Sequence, residues 1–273
     1  LILLKKNGES TILNWADGLD NLRLFKTVNA QSPLIDSAAS IFETGDLIRI
    51  EEHENGRVIL SQIPLIQSAM VALDPFNGAI RALVGGFDYR QSTFNRVTQA
   101  SRQPGSNFKP FIYTTALKNG FTTASIINDA PVVFEDAKLE DTWRPENDGG
   151  KFYGPTRLRE ALYRSRNLVS IRLLRRIGVD RTLESLQSFG FNTSDMPLDL
   201  SVALGSHAMR PIDIATGYAM FANDGFRVNS HILDRVIDRN GNVIFQAQPE
   251  LACDPCEQKN IRDGQLPQTA NNA

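Results

Sequence analysis

Two polar residues three positions apart, Ser106 and Lys109, carry the side chains that nucleophilic catalysis requires. Ser106 follows the turn-forming pair Pro104-Gly105, and Lys109 precedes an apolar run, residues 111–117, that predicts a helix. If that helix starts at the Pro-Gly pair, both side chains lie on one face of its first turn, at the positive end of the helix dipole. A lysine whose pKa is lowered by burial is able to take the proton of the serine hydroxyl. We therefore predict Ser106 as a nucleophile and Lys109 as its general base.

A second polar group, residues 163–169, interrupts the apolar pattern further along the chain. Side chains two positions apart point the same way in an extended segment, so Ser165 and Asn167 would converge in a loop that projects into a cleft. Ser165 would relay protons beside Lys109. The Asn167 carboxamide would hold a peptide group of a substrate through its donor and its acceptor.

Each motif also has a purely structural interpretation. Ser106 and Lys109 fit a helix N-cap serine followed by a surface lysine, and Ser165 fits a capping serine where two helices meet. A Ser-x-x-Lys pattern also occurs by chance, so neither motif decides between the two interpretations by itself. If the motifs act together, the surrounding elements have to bring them into one cleft.

The composition is that of a globular protein, with 273 residues, 41% hydrophobic and 22% charged, and a net charge of −2. This balance gives no support to nucleic-acid binding, which usually shows a strong basic excess. No apolar run has the length of a membrane span. The sequence shows no signal peptide and begins on Leu1, from which we expect a piece of a longer protein.

The two cysteines, Cys253 and Cys256, form a C-x-x-C pair in a polar tail. One such pair cannot fill a four-ligand zinc site, and its surroundings lack the strand-to-helix pattern of a redox motif. We expect a local disulfide formed in an oxidising compartment, with two free thiols as the alternative. No metal site is predicted.

Residues 1–66 have the pattern of short β-hairpins. Asn7-Gly8 and Asn55-Gly56 are strong turn signals, and residues of alternating polarity flank the second pair. We predict a small antiparallel barrel or sheet that ends near Pro64.

Residues 67–273 combine hairpins with helices, which makes the fold class α+β. Residues 68–73 and 79–86 are nearly continuous apolar runs joined by a turn, which predicts a hairpin buried on both faces of its sheet. From there to about residue 226 the pattern is helical, and a last hairpin follows around Asn240-Gly241. The apolar runs at helical spacing are residues 158–162, 169–174, 183–186 and 212–221.

The two motifs together resemble those of penicillin-binding transpeptidases, in which Ser-x-x-Lys is followed by Ser-x-Asn. Residues 94–100, 143–147 and 203–206 look like the class A, bifunctional members of that family, of the Gram-negative 1a type. The resemblance covers nearly the whole chain. For residues 67–273 it implies a penicillin-binding/β-lactamase-like transpeptidase fold, with an antiparallel sheet and a helical subdomain, incomplete here. Residues 1–66 would be part of a small OB-like β domain that precedes it.

Proteins of this family acylate their serine with the D-Ala-D-Ala end of a peptidoglycan stem peptide and pass the acyl group to an amine on a neighbouring strand. The resemblance implies this D,D-transpeptidase activity for Ser106, with Lys109 as base, Ser165 as proton shuttle and Asn167 as ligand of the substrate amide. β-Lactam antibiotics would trap the serine, and no cofactor is implied. Lys109→Ala is expected to slow acylation and leave the fold intact, as for truncation of a surface lysine.

The resemblance also implies partners and a location. The OB-like part would be a docking site for an outer-membrane lipoprotein activator, or alternatively a passive spacer. A glycosyltransferase domain and a membrane anchor are expected upstream of this chain. Together these place it at the periplasmic face of the bacterial inner membrane.

The sequence departs from the family pattern at its third motif. Lys-Thr-Gly followed by Thr or Ser does not occur in the 273 residues. That motif supplies a cation, a hydroxyl and one oxyanion-hole amide, so we expect the chain alone to be inactive. Arg166 stands where β-lactamases typically carry Asp, which favours a transpeptidase over a β-lactamase. A D,D-carboxypeptidase or a serine β-lactamase is the alternative among enzymes. A penicillin-binding sensor without turnover and a docking module with an incidental motif are alternatives of other classes.

Overall fold

A computed structural model describes residues 1–27, 30–64, 66–132 and 143–252 of the chain. The chain divides into two compact units, Leu1–Gln67 and Ser68–Ala273. Within the described ranges no helix is long and apolar enough to cross a membrane. The predicted disulfide between Cys253 and Cys256, and the polar tail that contains it, lie outside these ranges.

Where the structure describes it, the first unit forms three antiparallel strand pairs, two of which are hairpins with the predicted turns. Gly8 and Gly56 adopt φ angles of 87° and 78°, the left-handed conformation that these turns require. Leu13, Leu19 and Val58 form a small core that the hairpins cover. Each strand has one partner, so the described part of this unit is a set of hairpins and not a closed barrel. The strands are β1 Ile2–Leu4, β2 Ser10–Ile12, β3 Phe25–Thr27, β4 Ala30–Gln31, β5 Arg49–Glu52 and β6 Val58–Ser61.

The described residues of the second unit form three further antiparallel hairpins and five α-helices. The strands are β7 Met70–Leu73, β8 Ile80–Val84, β9 Ile126–Asp129, β10 Gly154–Arg157, β11 Arg235–Ile237 and β12 Val243–Gln246. The helices are α1 Lys109–Lys118, α2 Leu158–Tyr163, α3 Asn167–Ile177, α4 Val179–Gln187 and α5 Pro211–Ala222. The predicted helical runs all fall within these helices, and the hairpins predicted after residue 67 are present.

Two expectations for the second unit are wrong. The β7–β8 hairpin packs against α5, but Met70 and Val84 are 54% and 49% exposed, so within the described residues it is not covered on both faces. The region predicted as helical also contains the β9–β10 hairpin. In β9 the exposed and buried residues alternate, which is the period of a strand, but four residues are too few to stand out against a helical background.

Helix α1 lies at the centre of the second unit's core. Phe108, Phe111, Ile112 and Ala116 have no exposed surface, and Phe111 contacts a cluster of aromatic rings. Helix α3 packs against α1 with its own buried apolar side chains. Full burial of one such side chain contributes about 1.5–3 kcal/mol. This packing therefore fixes the N-terminal ends of α1 and α3, where both predicted motifs lie.

Candidate active site

The turn that carries Ser106 is a 3-10 turn, Gly105–Phe108, which runs directly into α1 at Lys109. Side chains at i and i+3 eclipse in this geometry, so Ser106 and Lys109 lie on one face, as predicted. Ser106 is exposed, whereas the Lys109 side chain is buried, with 1% of the residue exposed. Ser106 caps neither the turn nor the helix through its side chain. The interpretation as a capping serine with a surface lysine is therefore wrong.

The Lys109 amine brings the two motifs together. Its Nζ donates to the backbone oxygen of Ser165 at 2.7 Å, to Ser165 Oγ at 2.9 Å and to Asn167 Oδ1 at 2.6 Å. No hydrogen bond joins Lys109 to the Ser106 hydroxyl in the described part of the chain. Such contacts are often long in unliganded sites and tighten only when substrate binds.

Ser165 and Asn167 reach the amine by a different route from the one the sequence indicated. The N–H of Ser165 donates to Leu162 O and the N–H of Arg166 to Ala161 O, both at 2.9 Å, which is a Schellman turn at the end of α2. Ser165 has a φ of 53° at the position that glycine favours. The predicted extended segment is wrong, because a left-handed residue between two helices produces the convergence instead.

The Asn167 side chain is fixed from both ends. Its Oδ1 accepts from Lys109, and its Nδ2 donates to Glu146 O at 2.9 Å. The neighbouring Asn147 donates from Nδ2 to Asp129 Oδ1 at 2.7 Å and accepts at Oδ1 from the N–H at position 168. Residues 143–147 thus support the second motif directly. Their composition was typical of the resembled family, but sequence alone indicated no contact with Asn167.

Burial sets the electrostatics of this site. Removal of the Lys109 amine from water disfavours its charged form and lowers its pKa to about 8. About a tenth of the amine is then neutral at pH 7, which is far more than for an ordinary lysine and makes the residue available as a general base. The premise that Lys109→Ala resembles truncation of a surface lysine was wrong, because this variant would open a cavity and remove three hydrogen bonds.

A glycine that sequence reasoning did not assign to the site supports the nucleophile turn. Gly205 has a φ of 65°, and its backbone oxygen accepts from the Gly105 N–H at 3.2 Å. A Cβ at Gly205 would come within 2.3 Å of the Gly105 oxygen. Beyond this contact, Arg102 and Met209 exchange two backbone hydrogen bonds of 2.9 Å. The close approach of these two backbone segments therefore fixes the position of the turn that carries Ser106.

The structure thus groups an exposed serine, a buried amine, a second serine and a carboxamide, and comparison with known proteins identifies the family of the chain. The family described as "Penicillin binding protein transpeptidase domain" matches residues 68–272. The chain therefore belongs to the penicillin-binding transpeptidase family. Its fold is the penicillin-binding transpeptidase fold, a mixture of helices and small antiparallel sheets.

Among its relatives is penicillin-binding protein 1A of Pseudomonas aeruginosa, which is 45% identical over 91% of this chain and 30% of that protein. The crystal structure of penicillin-binding protein 1A from Haemophilus influenzae aligns with a TM-score of 0.73 at 41% identity, over 77% of this chain and 31% of that one. PonA1 of Mycobacterium tuberculosis, solved in complex with penicillin V, aligns with a TM-score of 0.59 at 26% identity, over 68% of this chain and 53% of that one. The chain thus spans about a third of the length of the curated relatives it matches.

Proposed function

We propose that this chain supplies the acylation residues of a peptidoglycan D,D-transpeptidase. The observation that carries the proposal is the buried Lys109 amine with its contacts of 2.6–2.9 Å to Ser165 and Asn167. These partners are separated from it by 56 and 58 residues in the sequence. Two weak motifs thereby become one group of side chains around a single titratable amine, beside an exposed serine. Membership of the penicillin-binding family supports the same chemistry.

In the proposed reaction the Ser106 oxygen attacks the carbonyl carbon of the penultimate D-Ala of a stem peptide, and neutral Lys109 accepts the hydroxyl proton. Ser165 passes a proton to the departing terminal D-Ala, so that the peptide C–N bond breaks and an ester to Ser106 remains. An amine of a neighbouring stem peptide then attacks this ester. The new peptide bond cross-links two strands and releases the serine hydroxyl.

The role we propose for Asn167 fits its remaining hydrogen-bonding capacity. A carboxamide has two N–H donors and an oxygen with two lone pairs. In the structure one donor is used by Glu146 O and one lone pair by Lys109. One donor and one acceptor are left for a substrate peptide group, in an orientation that the other two contacts hold.

Covalent labelling with a fluorescent penicillin tests this proposal in the full-length native protein. Ser106→Ala should abolish the label, whereas Ser101→Ala, which changes an exposed serine nearby, should not. Labelling that survives in Ser106→Ala would show that another residue is the nucleophile. Rapid loss of the label would favour the alternative of a D,D-carboxypeptidase or a β-lactamase. A lasting label without cross-linking of stem peptides would favour a sensor.

We infer from the resemblance that residues 1–66 dock an outer-membrane lipoprotein activator. The exposed apolar side chains of one hairpin face, Ile2, Leu4 and Ile12 at 84%, 79% and 63%, support a binding role over a passive spacer. The same resemblance leads us to propose a preceding membrane anchor and a place at the periplasmic face of the inner membrane. Ile12→Asn should weaken activator binding in a pull-down, and unchanged binding would favour the spacer.

A further inference from the structure

Arg166 lies between the two residues that hold the Lys109 amine, yet its own side chain turns into the protein. That side chain is 11% exposed, and its Nε lies 3.9 Å from Asp129 Oδ2. The guanidinium carbon lies 3.4 Å from the centre of the Tyr153 ring, a cation–π distance. No hydrogen bond joins Arg166 to Lys109 in the part of the chain that the structure describes. Any effect of the guanidinium on the site therefore passes through the backbone of Arg166.

The surroundings of this guanidinium form a rigid frame. Asp129, the last residue of β9, has no exposed surface, and its Oδ1 is held by Asn147 Nδ2 at 2.7 Å. The Asp129 backbone oxygen accepts from the Tyr153 N–H at 3.2 Å. Asp129, Asn147 and Tyr153 are thus tied to one another. We refer to these three residues as the frame.

The backbone of Arg166 is tied to both helices of the site. Its N–H closes the Schellman turn of α2, and its oxygen accepts from the Ser170 N–H at 3.2 Å and from Ser170 Oγ at 2.8 Å. Its neighbour Ser165 has a left-handed conformation, which is strained for residues other than glycine and persists only where the surroundings impose it. A shift of Arg166 would therefore move Ser165 and Asn167 together.

We propose that Arg166 and Asp129 are positioning residues for the acylation site: the frame anchors the Arg166 side chain and so holds Ser165 and Asn167 against Lys109. This inference rests on the proposed acylation of Ser106. Stability alone gives a poor account of the pair, because the desolvation of buried charges often exceeds their attraction. Asp129 Oδ2 and Arg166 Nε also lack hydrogen-bond partners among the described residues. A buried ion pair with unpartnered polar atoms is poorly explained by stability. It is better explained by a role in holding Ser165 and Asn167 in position.

The test measures the second-order rate constant for acylation of Ser106 by a fluorescent penicillin in the full-length native protein. Arg166→Met and Asp129→Asn should each lower the rate about tenfold or more, because small misplacements of catalytic groups are costly. The double variant should be no slower than the slower single variant, since both changes break one contact. Arg166→Lys should recover part of the loss by keeping the charge. Each rate is expressed per folded molecule, with the folded fraction taken from thermal unfolding.

Two further variants keep the test decisive if a buried charge proves essential for folding. Tyr153→Leu removes only the ring under the guanidinium, at a residue that is 51% exposed, and should still slow acylation several-fold. Arg172→Gln is the matched control: this arginine donates from α3 to Ala130 O and Pro131 O, just after β9. Among the described residues no hydrogen bond joins its side chain to the Ser165 turn. This variant should acylate at the wild-type rate.

Two results would overturn the inference. One is a wild-type acylation rate in folded Tyr153→Leu together with folded Arg166→Met. The other is an equal loss in Arg172→Gln, which would indicate a general effect of loosening α3. An unlabelled wild-type protein, or a label that survives Ser106→Ala, would instead refute the proposed function on which the inference rests.

Discussion

The pH dependence of Ser106 acylation is the sharpest consequence of the Lys109 environment. Burial lowers the pKa of this amine from 10.5 to about 8. At pH 7 the neutral fraction is then roughly 9%, against about 0.03% for an amine with the ordinary pKa. Burial therefore makes the base about 300 times more available at that pH. If neutral Lys109 accepts the serine proton, the acylation rate should rise about 50-fold from pH 6 to pH 8 and about twofold more above it.

The assay is the second-order rate constant for labelling by a fluorescent penicillin between pH 6 and pH 9.5, measured under conditions that report the free enzyme. A blank without protein corrects for hydrolysis of the antibiotic at high pH. Lys118→Met is the matched control, because it removes an exposed lysine at the other end of the same helix. Its profile should coincide with that of the wild type.

Three outcomes would refute this reasoning. A profile that is flat from pH 6 to pH 9 would show that no group of this pKa limits acylation. A rate that falls as the pH rises through 8 would show that Lys109 acts as an ammonium and not as a base. A Lys109→Met variant with the wild-type rate and profile would exclude the residue from the proton transfer altogether.

Two further predictions concern the backbone contact at Gly205 and the effect of Lys109 on stability. Gly205→Ala would place a Cβ within 2.3 Å of the Gly105 oxygen, so it should slow acylation at least tenfold and lower the unfolding temperature. Gly190 has a similar positive φ, but a Cβ there would meet no atom closer than 3.4 Å. Gly190→Ala should therefore cost only about 1–2 kcal/mol of stability and leave acylation unchanged, and equal losses in the two variants would refute the clash. Because the Lys109 pKa is lowered on folding, the unfolded chain binds more protons between pH 8 and 10.5, and the free energy of unfolding should rise with pH across that range. The gain in the free energy of unfolding is at most about 3.4 kcal/mol, and screening by solvent at the exposed side of the site reduces it. Denaturant unfolding should show this gain in the wild type and not in Lys109→Met.

Much of the fold followed from local sequence signals. Turn pairs such as Asn7-Gly8 predicted hairpins because few residues tolerate a left-handed backbone, and the structure confirms these hairpins. Apolar residues at helical spacing predicted α2 to α5 because each helix buries one face. The shared face of Ser106 and Lys109 followed from helix geometry alone.

The features that local signals did not predict depend on contacts between distant segments. Asp129 is buried because Asn147 and Arg166 converge on it, and nothing in its immediate neighbours indicates this. The left-handed Ser165 is a tertiary outcome too, since glycine is the residue that a Schellman turn favours. Gly205 differs from an ordinary turn glycine only through the second backbone that passes close to it.

The contacts of Lys109 also constrain how its proton moves. A lysine ammonium has three N–H donors, and the structure provides three acceptors, so the contacts describe the charged amine. The neutral amine has two donors and one lone pair, so one of these contacts must reverse or be released. The backbone oxygen of Ser165 and Asn167 Oδ1 have no hydrogen to give, whereas the Ser165 hydroxyl has one. In the proposed mechanism, release of one contact frees the lone pair for the Ser106 proton, and reversal of the Ser165 Oγ contact would link Lys109 to the proposed proton shuttle. If the frame fixes Ser165 as we propose, it also holds this hydroxyl within reach of the amine.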